Sequence, residues 1–183
     1  MFKNYLENRL LANIIEWILS IALALLVFFI VRTFIFRVAQ VTGGSMEPTL
    51  YHGDMVLLNR FNFLFFDPRP GDIVAFPPYP DDATRFYIKR IIGIPGDVVD
   101  LMGGAFYLNG ERLDDAFSHD EVIQRGDISF PFMVEYGHYF VLGDNRNGSM
   151  DSRFSTVGTV APDVMVGRVS VRIWPFGRFG RVD

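Results

Sequence analysis

The chain of 183 residues has no cysteine. Disulfides, a thiolate nucleophile and any Cys-based metal site are therefore excluded, while the redox compartment stays open. Lysine is almost as scarce, since only Lys3 and Lys89 occur. No basic run appears, and 17 basic against 21 acidic residues give a net charge of −4. That balance argues against nucleic acid as a partner. His52, His119 and His138 lack the spacing of metal ligands, so no metal site is expected. Internal repeats and low-complexity segments are missing too. The length suits one domain plus an anchor and is too short for two ordinary domains beside a membrane segment.

Apolar residues, by contrast, are abundant: half the composition is hydrophobic and 19 residues are Phe, more than a soluble domain of this size needs. From Leu10 to Phe36 the chain is apolar apart from Asn13, Glu16, Ser20, Arg32 and Thr33. Residues 17–31 hold no Gly or Pro, and with Ile14 and Ile15 they approach the ~20 residues of a spanning helix. Trp17 at one end and Arg32 and Arg37 at the other suit the membrane interface. A cleaved secretory signal would need small residues at −3 and −1, which residues 32–40 do not offer convincingly. A buried core helix would show a polar face, and this one has almost none. The expected organisation is a short tail (1–13), a transmembrane anchor (14–36) and a folded domain (37–183). Lys3 and Arg9 before the span balance Arg32 and Arg37 after it, so the charge rule leaves the orientation open.

Beyond Phe36 short β-type runs alternate with Gly/Pro/Asp turns. Strands are expected at 38–41, 55–58, 73–76, 87–94, 98–101, 105–108, 139–142 and 164–174. Turns are expected at Gly53-Asp54, Pro70-Gly71-Asp72, Pro95-Gly96-Asp97, Asn109-Gly110 and Gly143-Asp144-Asn145. The fold class is therefore mainly β, with folded sheets or a barrel-like assembly after one N-terminal helix. The run Phe61 to Phe66 has two readings: a buried strand and turn, or an apolar loop resting on the bilayer.

Two residues stand out for chemistry. Ser45 lies in Thr42-Gly43-Gly44-Ser45-Met46-Glu47-Pro48, directly after the anchor and its first strand. Gly-Gly-Ser here is either a flexible linker or a turn presenting a nucleophile. A serine hydroxyl needs a base. His52 lies close in sequence but beyond a turn, and His138 has no evident orienting acid. Lys89 sits in an apolar strand, on one face with Tyr87 and Ile91, while Arg90 lies on the other. Each face must therefore accommodate a charge, so at least one of the two is not simply buried in a core. Among aliphatic neighbours the ammonium would be desolvated, lowering its pKa from about 10.4 and making a neutral base available. Alternatively Lys89 is a solvated side chain on the outside of a barrel.

Gly43-x-Ser45-Met46-x-Pro48-Thr49-Leu50, Pro70-Gly71-Asp72-Ile73-Val74-Ala75-Phe76, Tyr87-Ile88-Lys89-Arg90-Ile91-Ile92-Gly93-x-Pro95-Gly96-Asp97 and Gly143-Asp144-Asn145-Arg146-x-x-Ser149-x-Asp151-Ser152-Arg153 resemble, in order, the conserved boxes of bacterial type I signal peptidases. Together they extend over nearly all of the chain after the anchor. The resemblance implies a membrane-bound serine endopeptidase that removes signal peptides from exported preproteins. It implies a Ser/Lys dyad with no metal or organic cofactor, and a mainly β domain outside the cytoplasm. The enzyme would then be a single-pass protein of the bacterial cytoplasmic membrane, with preproteins and membrane lipid as partners.

Carried over residue by residue, Ser45 resembles the nucleophile, Lys89 the general base and Ser149 the serine that orients the lysine. Gly143 would keep space open beside the dyad. Asp151 and Arg153 would form a structural ion pair, and Asp144 and Asn145 would support the same loop. The Ser45 N–H would donate to the oxyanion. Some family members add a serine hydroxyl two residues earlier, where this chain has Gly43, so either the Gly43 N–H or a water substitutes, or the hole has one protein donor. After Arg153 the family's usual aromatic-Trp-Gly continuation is replaced by Phe154-Ser155-Thr156-Val157-Gly158, which suggests an altered turn. Gln40 and Val41, with Met46, Leu50, Tyr87 and Ile88, would line substrate edges and shallow pockets for Ala-sized residues. Other expectations to weigh are a specialised Ser/Lys maturation peptidase, a self-cleaving peptidase of the repressor type, and a non-catalytic membrane-tethered peptide binder.

Overall fold

The computed structural model describes residues 2–30, 36–60, 63, 66–78, 86–113 and 121–182, with side chains in the N-terminal helix from 13 to 29. The chain forms two compact units, 1–36 and 37–183.

The first unit is the helix α1 (Phe2–Ile30). No Gly or Pro precedes Gly43, so nothing in the sequence stops the helix from starting at Phe2, well before the apolar run. Its described side chains, 13–29, are all exposed. Among the described residues no helix is long and apolar enough to cross a membrane. Residues 31–35 of the expected anchor lie outside the described residues, as do Phe61, Asn62, Leu64 and Phe65 of the Phe-rich run. Within that run Phe63 packs against the core, and Phe66 is exposed.

The second unit is mainly β, as the turn-and-strand texture predicts. Its strands are β1 (Phe36–Gln40), β2 (Met55–Asn59), β3 (Ile73–Phe76), β4 (Tyr87–Gly93), β5 (Val98–Met102), β6 (Ala105–Leu108), β7 (Glu111–Arg112), β8 (Phe132–Met133), β9 (Phe140–Leu142), β10 (Gly167–Trp174) and β11 (Gly180–Arg181). One sheet runs β1-β2-β10-β3-β4-β9, with β11 also on β10; the other runs β7-β6-β5-β8. The ladders from β2 through β10, β3 and β4 to β9 are antiparallel.

The Gly-Asp pairs build their turns by one device. At Tyr51 to Asp54, Arg69 to Asp72 and Ile94 to Asp97 the aspartate N–H donates to the carbonyl three residues back. Its carboxylate in turn accepts that residue's N–H. The glycine between them takes φ of 88 to 90°, which a residue with a Cβ rarely adopts.

β4 is the hub of the core. Ile88 packs into a cluster with Met46 and Leu50, Ile91 into one with Val74 and Val141, and Ile92 into one with Phe140 and Leu142. Burial on both faces explains the nearly unbroken apolar sequence of this strand. Lys89 and Arg90 are both buried within it. As expected, neither is simply buried in a core: each is buried against a polar partner.

Candidate active site

Register brings the polar groups together. β4 pairs Lys89 with Val74 on β3, and Arg90 with Leu142 on β9. Two residues beyond Leu142, just past the end of β9, stands Asp144. Its carboxylate takes Arg90 Nε and Nη2 at 2.9 Å each, and Thr49 of the Ser45 loop donates to the same carboxylate. A buried bidentate pair thus ties the lysine strand to the Ser45 loop. Asp144→Ala would remove the carboxylate that the Arg90 guanidinium grips through two bonds, at a cost of about 3–5 kcal/mol. Urea unfolding of the variant checks this as a lowered midpoint.

The Lys89 Nζ lies 2.7 Å from the Ser45 Oγ. Only 2% of the lysine is exposed. Burial lowers its pKa from 10.5 to about 8; Asp151 and Asp144 pull it upward and Arg153 pushes it down. Both aspartates are already paired with arginines, so their pull is muted and desolvation prevails. The Tyr87 ring lies 5.2 Å from the amine. A solvated Lys89 is not what the strand holds.

The loop after β9 is braced by Arg153. It grips Asp151 through Nε at 2.8 Å and Nη2 at 2.9 Å, and donates to the carbonyls of Gln124, Arg146 and Ser149. Asp151 also accepts the Gly143 N–H at 3.0 Å. Ser149 is buried, and its Oγ has no hydrogen-bond partner among the described residues. The hydroxyl and the Ser45 carbonyl converge over Gly143, where an added Cβ would collide with both.

Asn145 acts on the Ser45 turn itself. Its side-chain amide donates to the Gly44 carbonyl at 3.1 Å, and its N–H to the Ser45 carbonyl at 3.1 Å. The Gly44 carbonyl and the Ser45 N–H belong to one trans peptide and point in opposite directions. Holding the carbonyl therefore aims the Ser45 N–H. Gly43 has φ of 87°, so a serine there would be strained, which gives the missing hydroxyl a conformational reason. The Gly43 N–H donates to His52 Nδ1 at 3.2 Å, and is thereby engaged away from the role of oxyanion donor.

A groove of about 220 Å³ opens at the dyad, below the ~300–1,000 Å³ of many small-molecule sites. Of the residues expected to line it, Val41, Met46, Tyr87 and Ile88 do; Gln40 and Leu50 do not. Leu50 is fully buried in the core, and Gln40 ends β1 exposed. Sequence reading missed Phe86, Gly148 and Met150, which also line the groove. The last two occupy unspecified positions between the polar residues of the fourth box, where no pattern singles them out.

The family described as signal peptidase, peptidase S26, matches residues 14–174. The chain belongs to this family. Signal peptidase I P of Bacillus subtilis subsp. natto is 36% identical over 180 residues, covering 94% of this chain and 95% of that protein. Signal peptidase IB of Staphylococcus aureus strain COL is 37% identical over 182 residues, covering 91% and 93%. A crystal structure of a signal peptidase I from Enterococcus faecalis matches with a TM-score of 0.47 at 30% identity, covering 57% of this chain and 97% of that one. Membership of the signal peptidase family makes the chain a serine endopeptidase, so a lysine-bonded serine at the foot of a groove is chemistry the family calls for.

Proposed function

We propose that this chain removes signal peptides from exported preproteins, with Ser45 as nucleophile and Lys89 as general base. One observation carries the assignment of residues: the 2.7 Å contact between the Ser45 hydroxyl and an amine that burial keeps partly neutral. Neutral Lys89 takes the hydroxyl proton as Ser45 Oγ attacks the carbonyl carbon of the scissile peptide. The Ser45 N–H donates to the oxyanion of the tetrahedral intermediate. The resulting Lys89 ammonium protonates the departing amine, leaving the signal peptide as an ester on Ser45. Lys89, neutral again, deprotonates a water that hydrolyses this ester. Ser149, whose buried hydroxyl has no hydrogen-bond partner among the described residues, turns that hydroxyl to the amine to orient it during the reaction. Gly143 keeps room for it, and Asp144, Asn145, Asp151 and Arg153 support the loop.

An extended preprotein segment lies along the groove, where Val41, Met46, Tyr87 and Ile88 shape shallow pockets for small side chains at −1 and −3. The groove's small volume supports that preference. Residues 14–36 anchor the enzyme in the cytoplasmic membrane as a single pass, with residues 37–183 on the outer side and lipid as a standing partner. The exposed apolar side chains between Ile14 and Phe29 support an anchor, since such a surface is costly in water.

The test is cleavage of a signal-peptide-bearing preprotein by the full chain in lipid. Ser45→Ala is expected to leave no cleavage above background. Wild-type cleavage by that variant would overturn the nucleophile assignment.

A further inference from the structure

His52 has no part in the proposed chemistry, yet it touches the turn that carries the nucleophile. It occupies the second position of the Tyr51–Asp54 turn, which is tied by hydrogen bonds to Val41 directly after β1, to β10 and to the C-terminal segment. The Gly53 N–H donates to the Val41 carbonyl at 2.9 Å and the Val41 N–H to the Asp54 carbonyl at 2.8 Å, closing the base of the nucleophile loop. The Asp54 carboxylate is buried and accepts the Tyr51 N–H, Arg178 Nη2 at 2.6 Å and Arg172 Nη1 at 3.4 Å. Arg172 also donates to the Thr49 carbonyl at 3.0 Å. The imidazole is therefore mounted on a fixed post. Its Nδ1 accepts the Gly43 N–H, which requires that nitrogen to be unprotonated and the ring proton to sit on Nε2.

The neighbouring stretch needs such a post. Gly43 and Gly44 are successive residues without side chains and cannot hold their own conformation. Asn145 fixes the downstream end through the carbonyls of Gly44 and Ser45. The upstream end has His52. We infer that His52 is a positioning residue for this enzyme: it holds the Gly43-Gly44 turn from the front so that Ser45 Oγ stays within hydrogen-bonding reach of Lys89. The inference rests on the reading of Ser45 and Lys89 as the reacting pair. Its bond goes to backbone, and the serine hydroxyl is left to the lysine. The effect belongs in the chemical step. The groove walls Met46 and Ile88 are fixed by the core and do not depend on His52.

The experiment compares wild type, His52→Ala, His52→Asn and Ser45→Ala as full chains in lipid, with a signal-peptide substrate and a urea unfolding curve for each. Loss of one hydrogen bond of this kind predicts a kcat for His52→Ala lowered about fivefold to tenfold, with KM within about twofold. The urea midpoint should fall only slightly, by what one exposed hydrogen bond contributes. The Asn side-chain oxygen can stand where Nδ1 stands, so His52→Asn should recover at least half of the lost kcat. A wild-type kcat in His52→Ala, a change confined to KM, or an Asn variant as poor as the Ala variant would each overturn the inference. Ser45→Ala reports separately: its inactivity upholds the dyad whatever His52 does, and its activity would remove the dyad itself.

Discussion

Lys89→Met is expected to lower kcat/KM by ~10³ or more, since a positioned general base contributes on that order and among the described residues no other base bonds the hydroxyl. The same substitution should stabilise the protein at neutral pH. Methionine fills the volume of the lysine stem without an ammonium to bury. In the wild type the fall of the pKa from 10.5 to about 8 corresponds, at ~1.4 kcal/mol per pH unit, to a native-state cost of order 3 kcal/mol. The sign follows from proton counting. Between about 8 and 10.5 the unfolded chain binds more protons at this lysine than the native one, so stability rises with pH across that window. Below it the cost is complete and constant. Lys89→Met should therefore gain about 1–2 kcal/mol at pH 7, after loss of the bond to Ser45, and the gain should vanish by pH 10.5. Urea unfolding at the two pH values reads it. A variant destabilised equally at both would show that the amine carries no burial cost.

The same amine sets the pH dependence of the wild type. Only neutral Lys89 accepts the proton, so kcat/KM should climb about tenfold per pH unit below about 8 and level off above it. A flat profile between pH 6 and 9, with chemistry limiting the rate, would count against Lys89 as the base.

Local pattern was enough for much of the framework. β3 and β6 have the bounds that alternation and turn residues predict, because Gly71-Asp72 and Asn109-Gly110 punctuate them sharply. β10 is shorter than its apolar run, since Pro162–Val164 forms a 3₁₀ turn ahead of it. β7, β8 and β11 escaped notice because two-residue strands have no period; pairing with β6, β5 and β10 alone makes them strands. The charges on β4 were visible as an oddity, but their environment was not. Ser45 is 44 residues from Lys89 in sequence and Asp144 is 54 from Arg90, distances at which no local rule speaks. For the same reason Leu50 reads like Met46 on the page, although one is sealed in the core and the other also faces the groove.

Gly143→Ala should cost about 10²–10³ in kcat, with little change in KM. The glycine does not lie at positive φ, so alanine is allowed there by its backbone and the penalty is wholly steric. The new methyl would overlap the Ser149 hydroxyl and the Ser45 carbonyl. Neither the glycine nor the serine above it can retreat. Asp151 holds the Gly143 N–H at 3.0 Å and Arg146 Nε the Gly143 carbonyl at 2.9 Å, while Arg153 holds the Ser149 carbonyl. The Ser45 segment, built on two glycines, is the softer partner and must give way. A displacement of ~1 Å at a reacting group is worth about 10²-fold in rate, and here it would part Ser45 Oγ from Lys89 Nζ as well. Adding Ser149→Gly to Gly143→Ala removes the clash with Ser149 and leaves the one with the Ser45 carbonyl. The double variant should therefore recover little, since the clash with the Ser45 carbonyl persists and the hydroxyl that orients the amine is gone. Substantial recovery would show that Ser149 was the group displaced, and a wild-type kcat in Gly143→Ala alone would show that the glycine does not guard the dyad.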